Sequence, residues 1–122
     1  MIAVKDQIFS ALAGLADLVS DSFPEEFAQG TSIVYFELDN SVKEYTDDAE
    51  QLAHLAYSVD IYRSDGSTTK AACDVDEALS ALGLVRVECH DVAENSKWRH
   101  KHMQYEGYVD VHTEHVFHPN TY

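Results

Sequence analysis

Residues 55–62, LAYSVDIY, alternate without a break: Leu55, Tyr57, Val59 and Ile61 take one side, and Ala56, Ser58, Asp60 and Tyr62 the other. Side chains along a strand point to opposite faces with period two, so the run predicts a strand with one face toward a core, beginning near Gln51. Residues 100–111 alternate as cleanly, setting Met103, Tyr105, Val109 and Val111 against His102, Gln104, Glu106, Tyr108 and Asp110. Gly107 falls in the apolar phase there, which marks either a bulge or a close approach of other chain. A third alternating run, residues 84–89, places Val85, Val87 and Cys89 opposite Arg86 and Glu88. Residues 33–38 are almost continuously apolar, the pattern of a strand that is central or covered on both faces.

Two segments carry helical spacing instead. In residues 2–19, Ile2, Lys5, Ile8, Phe9, Leu12, Leu15, Leu18 and Val19 gather on one side, which predicts a helix ending near Asp21 and Ser22, ahead of Pro24. After the turn SDGST, Ser67 or Thr68 can cap a second helix whose core face is Ala71, Ala72, Val75, Ala78, Leu79 and Leu82. Gly83 then supplies a stop, because glycine enters the left-handed region without steric cost.

Between the apolar strand and the long one, residues 39–50 are polar and acidic, with a short strand predicted at 42–45; they read as an exposed hairpin-like arm. Residues 113–122 show no period and are expected to be irregular. The order helix, strand, short strand, long strand, helix, strand, strand predicts an α+β fold. Its mostly antiparallel sheet would have about four to five strands, with two helices packed on one face. A chain of 122 residues corresponds to a single domain, 1–122, and removes roughly two-thirds of its unfolded surface from water on folding.

The charge narrows the partners. Twenty-two acids against eight bases give a formal net charge of −14, which repels nucleic acid phosphates and disfavours ordinary DNA or RNA binding. Cys73 and Cys89 form no CxxC pair; one falls in a helical pattern and one in a strand pattern, so both are expected as small buried hydrophobes without a disulfide. The opening segment MIAVKDQIFSALAGL is broken by charged and polar residues, unlike a signal peptide or membrane span, so the protein is expected in the cytoplasm where it is made.

Candidate chemistry is thin. His100 and His102 form an HxH pair on one face of a strand, a geometry that metal sites use, but they lie in the polar phase, where solvated histidine is ordinary. His112, His115 and His118 recur every third residue with no helical pattern to align them, so no metal and no other cofactor is expected. The acid pairs Glu25-Glu26, Asp47-Asp48 and Asp76-Glu77 are what so acidic a chain produces by chance. Neither a GxSxG elbow nor a phosphate-cradling glycine loop is present. Cys73 would have to leave a helix face, flanked by Ala72 and Asp74, to act as a nucleophile, and it is not assigned as one. Asp60 is read as the polar phase of its strand, and no catalytic residue is assigned.

The run LAYSVDIYRSDGSTTKAACDVDEALSALGLVRVECHDV resembles the tail terminator, or tail completion, proteins of long-tailed bacteriophages. The similarity rests on three groups of residues: Tyr57, Val59, Asp60, Ile61 and Tyr62; then Asp76, Glu77, Ala78, Leu79, Leu82 and Gly83; then Val85, Arg86 and Val87. The N-terminal helix, the acidic arm and a last strand with Tyr105 and Gly107 extend it over about residues 2–112; the histidine-rich segment 112–118 and the strong acidity depart from it.

The resemblance implies a non-enzymatic virion protein, assembled in the host bacterial cytoplasm and located in the tail. It would form a homo-hexameric ring on the head-proximal end of the tail tube, stop tube polymerisation and offer a docking surface to the head connector or stopper. Its partners would be further copies of itself, the tail tube protein and that connector, with genome DNA passing through unbound and no membrane involved. Lys43, Glu44, Tyr45, Asp47 and Asp48 in the arm, with His115 and Phe117 behind the last strand, are the candidate contact residues. Two other classes stay open on sequence alone: an acidic DNA mimic that inhibits a nucleic-acid-binding protein, and a small metalloenzyme using the histidines.

Overall fold

The computed structural model describes residues 4–46, 49–94, 96–110 and 115–117, with the side chains of 42–51 outside that description. Its elements in chain order are α1 (Lys5–Leu12), β1 (Leu18–Ser20), β2 (Thr31–Thr46), β3 (Ala49–Arg63), α2 (Thr69–Ala81), β4 (Val85–Val92), β5 (Arg99–Asp110) and β6 (Val116–Phe117). The strands form one sheet in the order β1-β2-β3-β5-β4, and β6 adds to β5. Among the described residues, β1 with β2 is the one parallel pair. The expected α+β class is the observed one, with six strands among the described residues.

Both helices pack on one face. Ile8 and Leu12 of α1 and Ala71, Ala72, Val75 and Leu79 of α2 join Ile33, Tyr35, Leu55, Tyr57, Val59, Ile61, Met103, Tyr105 and Val109 in a single buried cluster. The register explains the sharing of a face: Tyr35 opposes Val59, Tyr57 opposes Tyr105, and Val59 opposes Met103. The expected core face of α2 is observed, with Ala78 and Leu82 half-buried at its margin. Ser67, rather than Thr68, supplies the hydroxyl at its start, accepting from the Thr69 amide. Gly83 ends the helix at φ 101°, and the Leu84 amide donates to the Leu79 carbonyl.

Several expectations are corrected. The N-terminal helix stops at Leu12 instead of near Asp21 and Ser22. Gly14 adopts φ 130°, and Asp17 then exchanges hydrogen bonds with Thr31, its amide donating to the Thr31 carbonyl and its carboxylate accepting from the Thr31 amide. That bracket starts the parallel pairing of 18–20 with β2. The strands expected at 33–38 and 42–45 are one continuous strand, because bulges absorb the breaks in alternation. Leu38 is the extra residue of one bulge and is exposed.

A bulge at Val87 splits the expected face of β4: Cys89 opposes Met103 on the helix side, while Val85 opposes Glu106 on the other. Cys73 and Cys89 are both exposed, not buried, one on the outer side of α2 and one on an edge strand. Residues 116–117 are a strand where irregular chain was expected. Past the end of β4, the edge of β5 at Tyr108–Val109 is open, and β6 pairs there. Val116 is thereby buried against the core, and the open choice at Gly107 resolves as close approach: a Cβ there would meet Leu84 at 2.9 Å and Val116 at 3.3 Å.

Candidate functional site

The face of the sheet away from the helices holds most of the polar chemistry. Along β3 its residues are Ala56, Ser58, Asp60 and Tyr62, the phase that alternation assigns to solvent. They are not solvated: Ala56, Ser58 and Tyr62 are buried, and the Asp60 side chain is 13% exposed. Asp60 opposes His102, and Tyr62 opposes His100, so the HxH pair of β5 is laid directly across from them.

Asp60 Oδ1 accepts from His100 Nε2 at 2.7 Å and from His102 Nδ1 at 2.9 Å. The other nitrogen of His100 lies 2.7 Å from Glu94 Oε1, so both sides of that ring meet carboxylates. His90 on β4 packs its ring against His102 at 5.3 Å. The loop between β1 and β2 closes one end of this face: Phe27 stacks on Tyr62 at 4.3 Å, Tyr62 stacks on His100 at 4.2 Å, and Phe27 also meets Trp98 at 5.2 Å. Phe23, 64% exposed, leans on Phe36.

The solvated reading of His100 and His102 is therefore corrected. A polar residue in the outward phase can be buried by its own neighbours when it finds charge-assisted partners across the strands. Tyr62 responds to this setting: burial first, then the charges of Asp60 and Glu94, push its hydroxyl up to about 12. Among the described residues no group of three or more His, Cys, Asp or Glu is arranged to hold a metal ion. His112 and His118 lie outside the described residues.

The other end of the sheet carries the sequence-predicted contacts. Among the described residues, β3 pairs with β5 as far as Leu52 and Asp110, and β2 and β3 pair further, through Tyr45–Glu50 and Thr46–Ala49. The β2–β3 hairpin beyond Leu52 is, among the described residues, a two-stranded ribbon. Lys43, Glu44 and Tyr45 belong to that ribbon, and Asp47 and Asp48 lie outside the described residues.

Phe117 is brought to the root of the same ribbon. It opposes Tyr108, which opposes His54, which opposes Ser41 on β2. His54 and Asp39 are joined there at 2.6 Å, and His54 packs edge-on to Tyr108. His115 is exposed just ahead of β6, its ring parallel to that of Phe117. The arm and the C-terminal segment, far apart in sequence, therefore meet at one end. The Asp60–His100–His102 cluster was missed by sequence reasoning, and the signal that could have found it is an Asp and an HxH in the outward phases of two neighbouring strands.

No protein-family model matches the chain, and no curated protein matches it either. Among the described residues, no helix is long and apolar enough to cross a membrane.

Proposed function

We propose that the protein is a non-enzymatic virion component of a long-tailed bacteriophage. It is a subunit of a homo-hexameric ring that caps the head-proximal end of the tail tube, ends tube polymerisation and offers a docking surface to the head connector. The observation that carries this reading is the long, acidic β2–β3 hairpin on a sheet whose described helices occupy one face only. A long hairpin rich in acidic residues suits contact with a neighbouring subunit or a tube end.

Two further features support it. The run that carries the resemblance folds as one continuous strand, turn, helix and strand, β3-α2-β4, with Gly83 at the helix end. The charge of −14 suits a channel wall along which a genome slides, because phosphates that are not neutralised gain nothing from counterion release. Assembly would take place in the host cytoplasm, and the finished location is the virion tail.

The test is to add the purified protein to its cognate tail tube protein during polymerisation and image the products. Shorter tubes with a ring at one end are expected. Tubes of unchanged length with bare ends, or a ring with a basic lumen, would contradict the reading.

A further inference from the structure

The few cations of this acidic chain are not spread evenly. Of its eight lysines and arginines, Lys97, Arg99 and Lys101 fall within five residues. The register sets Arg63 directly across from Arg99, and Lys101 across from Ile61, at the end of the sheet opposite the ribbon. Like charges facing each other on neighbouring strands are unfavourable unless something neutralises them.

Lys5, Lys70, Arg86 and Lys101 are paired with Asp21, Asp74, Asp76 and Asp91. Among the described residues no carboxylate comes within ion-pair distance of Arg63, Lys97 or Arg99. Among the described residues, Arg63 donates to the Thr31 hydroxyl and the Asp65 backbone carbonyl, both uncharged acceptors. A recess of about 770 Å³ opens between Lys97–Lys101 and the turn at Ser67 and Thr69, a size that admits a small anionic group or the end of a peptide segment. Its acidic lining residues are already engaged, Glu94 with His100 and Asp91 with Lys101.

The opposite pole has the opposite sign. Residues 37–50 hold six acids and one lysine, and Glu44 and Glu50 lie on the two strands of the ribbon. The two poles are separated by the length of β3, 15 residues or roughly 50 Å, which exceeds a Debye length at physiological salt several times over. They therefore do not neutralise each other within one molecule.

We propose that the basic end, formed by Arg63, Lys97 and Arg99, receives the acidic ribbon of a second copy of this chain. The contact is head to tail, so it is heterologous, and repetition of it closes into a ring when the rotation per subunit allows. Local attraction at the contact offsets the mutual repulsion of two highly acidic bodies, and it fixes which end meets which. The inference rests on the self-assembly in the proposed function, and it goes further by naming the two surfaces.

The experiment uses two charge-reversed variants, K97E/R99E and E44K/E50K, followed by sedimentation velocity over a concentration series. Wild-type protein is expected to associate. Each variant alone should associate more weakly by at least about tenfold, because like charges now face each other. The equimolar mixture should recover association, since each variant then meets the opposite charge on the other, and it should close only into rings with an even number of subunits. Far-ultraviolet circular dichroism checks that each variant is folded, and recovery in the mixture is itself a second check.

A monomeric wild type, or association that ignores both reversals, or a folded pair that fails to recover on mixing, would overturn the inference. So would loss of binding to an oligonucleotide by K97E/R99E with self-association intact, which would assign the basic end to nucleic acid. Head-to-tail association without tube capping would leave this inference standing and remove the tail reading. Capping by rings indifferent to the reversals would do the opposite.

Discussion

Tyr57 and Tyr105 sit on the helix-covered face fully buried among aliphatic side chains, and Tyr62, on the opposite face, is nearly as well hidden at 7% exposure. The means differ. Tyr57 and Tyr105 are enclosed by a contiguous apolar core, and each hydroxyl reaches one carboxylate at the margin, Glu37 and Asp76 respectively. Tyr62 is enclosed by rings and ionisable groups: Phe27 on one side, His100 on the other, with Asp60 and Glu94 holding the histidine. One face derives its order from area removed from water, the other from stacking and charge-assisted hydrogen bonds. The first kind of burial tolerates no vacancy; the second depends on keeping every partner.

That contrast can be broken most strongly from the core side. Tyr105→Ala removes a fully buried ring and leaves Asp76 with Arg86 alone, and it is expected to cost about 3–5 kcal/mol in urea unfolding. A loss under about 1 kcal/mol would mean that the covered face is not the stabilising core. Gly83→Ala tests the seam where β6 closes that core. Its φ of 101° is unfavourable for alanine, and a Cβ would collide with the Val116 carbonyl, so about 2 kcal/mol or more should be lost, with faster amide exchange at Val116.

On the open face, Asp60→Asn keeps the shape and removes the charge that His100 and His102 share. The expected cost is about 1–2 kcal/mol, smaller than that of the core change. An equal or larger loss would reverse the comparison.

The tyrosine titrations sharpen the difference between the faces further. Tyr62 ionises in the folded protein only at about 12, against an ordinary 10.0, so its neutral form is the one folding favours. Its contribution is complete below pH 10, where the unfolded chain also keeps the phenol neutral, and is lost as pH rises from there toward 12. Tyr57 and Tyr105 are raised further, burial being the largest cause for each. In Asp60→Asn the phenolate absorbance attributable to Tyr62 should shift to lower pH, while Tyr57 and Tyr105 stay unchanged. A shift shared by all three would show that the faces are not independent.

The covered face was legible in sequence because area burial imposes a period. Leu55, Tyr57, Val59, Ile61, Met103, Tyr105 and Val109 announce themselves by alternation, and α2 by its own spacing. Where a local device interrupts the period, the reading fails: Gly14 and Asp17 cut the first helix short, and bulges at Leu38 and Val87 merge two strands and split a face. The open face was illegible for a different reason. Outward phase and polarity describe a residue's direction and chemistry, and neither reveals that Asp60, His100 and His102 satisfy one another across two strands. The acidic arm was read as a hairpin, and β2 and β3 pair there, but its meeting with Phe117 depends on β6 pairing, which no local pattern announces.

Hydrogen exchange along the chain, measured for the protein alone and then bound to cognate tail tube ends, tests the proposed division of roles most directly. Slowed exchange is expected at the ribbon, residues 37–54, and at 108–117 beside its root, with the outward amides of α1 and α2 unchanged. Protection confined to the two helices, or none at any position, would contradict the assignment of this end of the sheet as the contact surface.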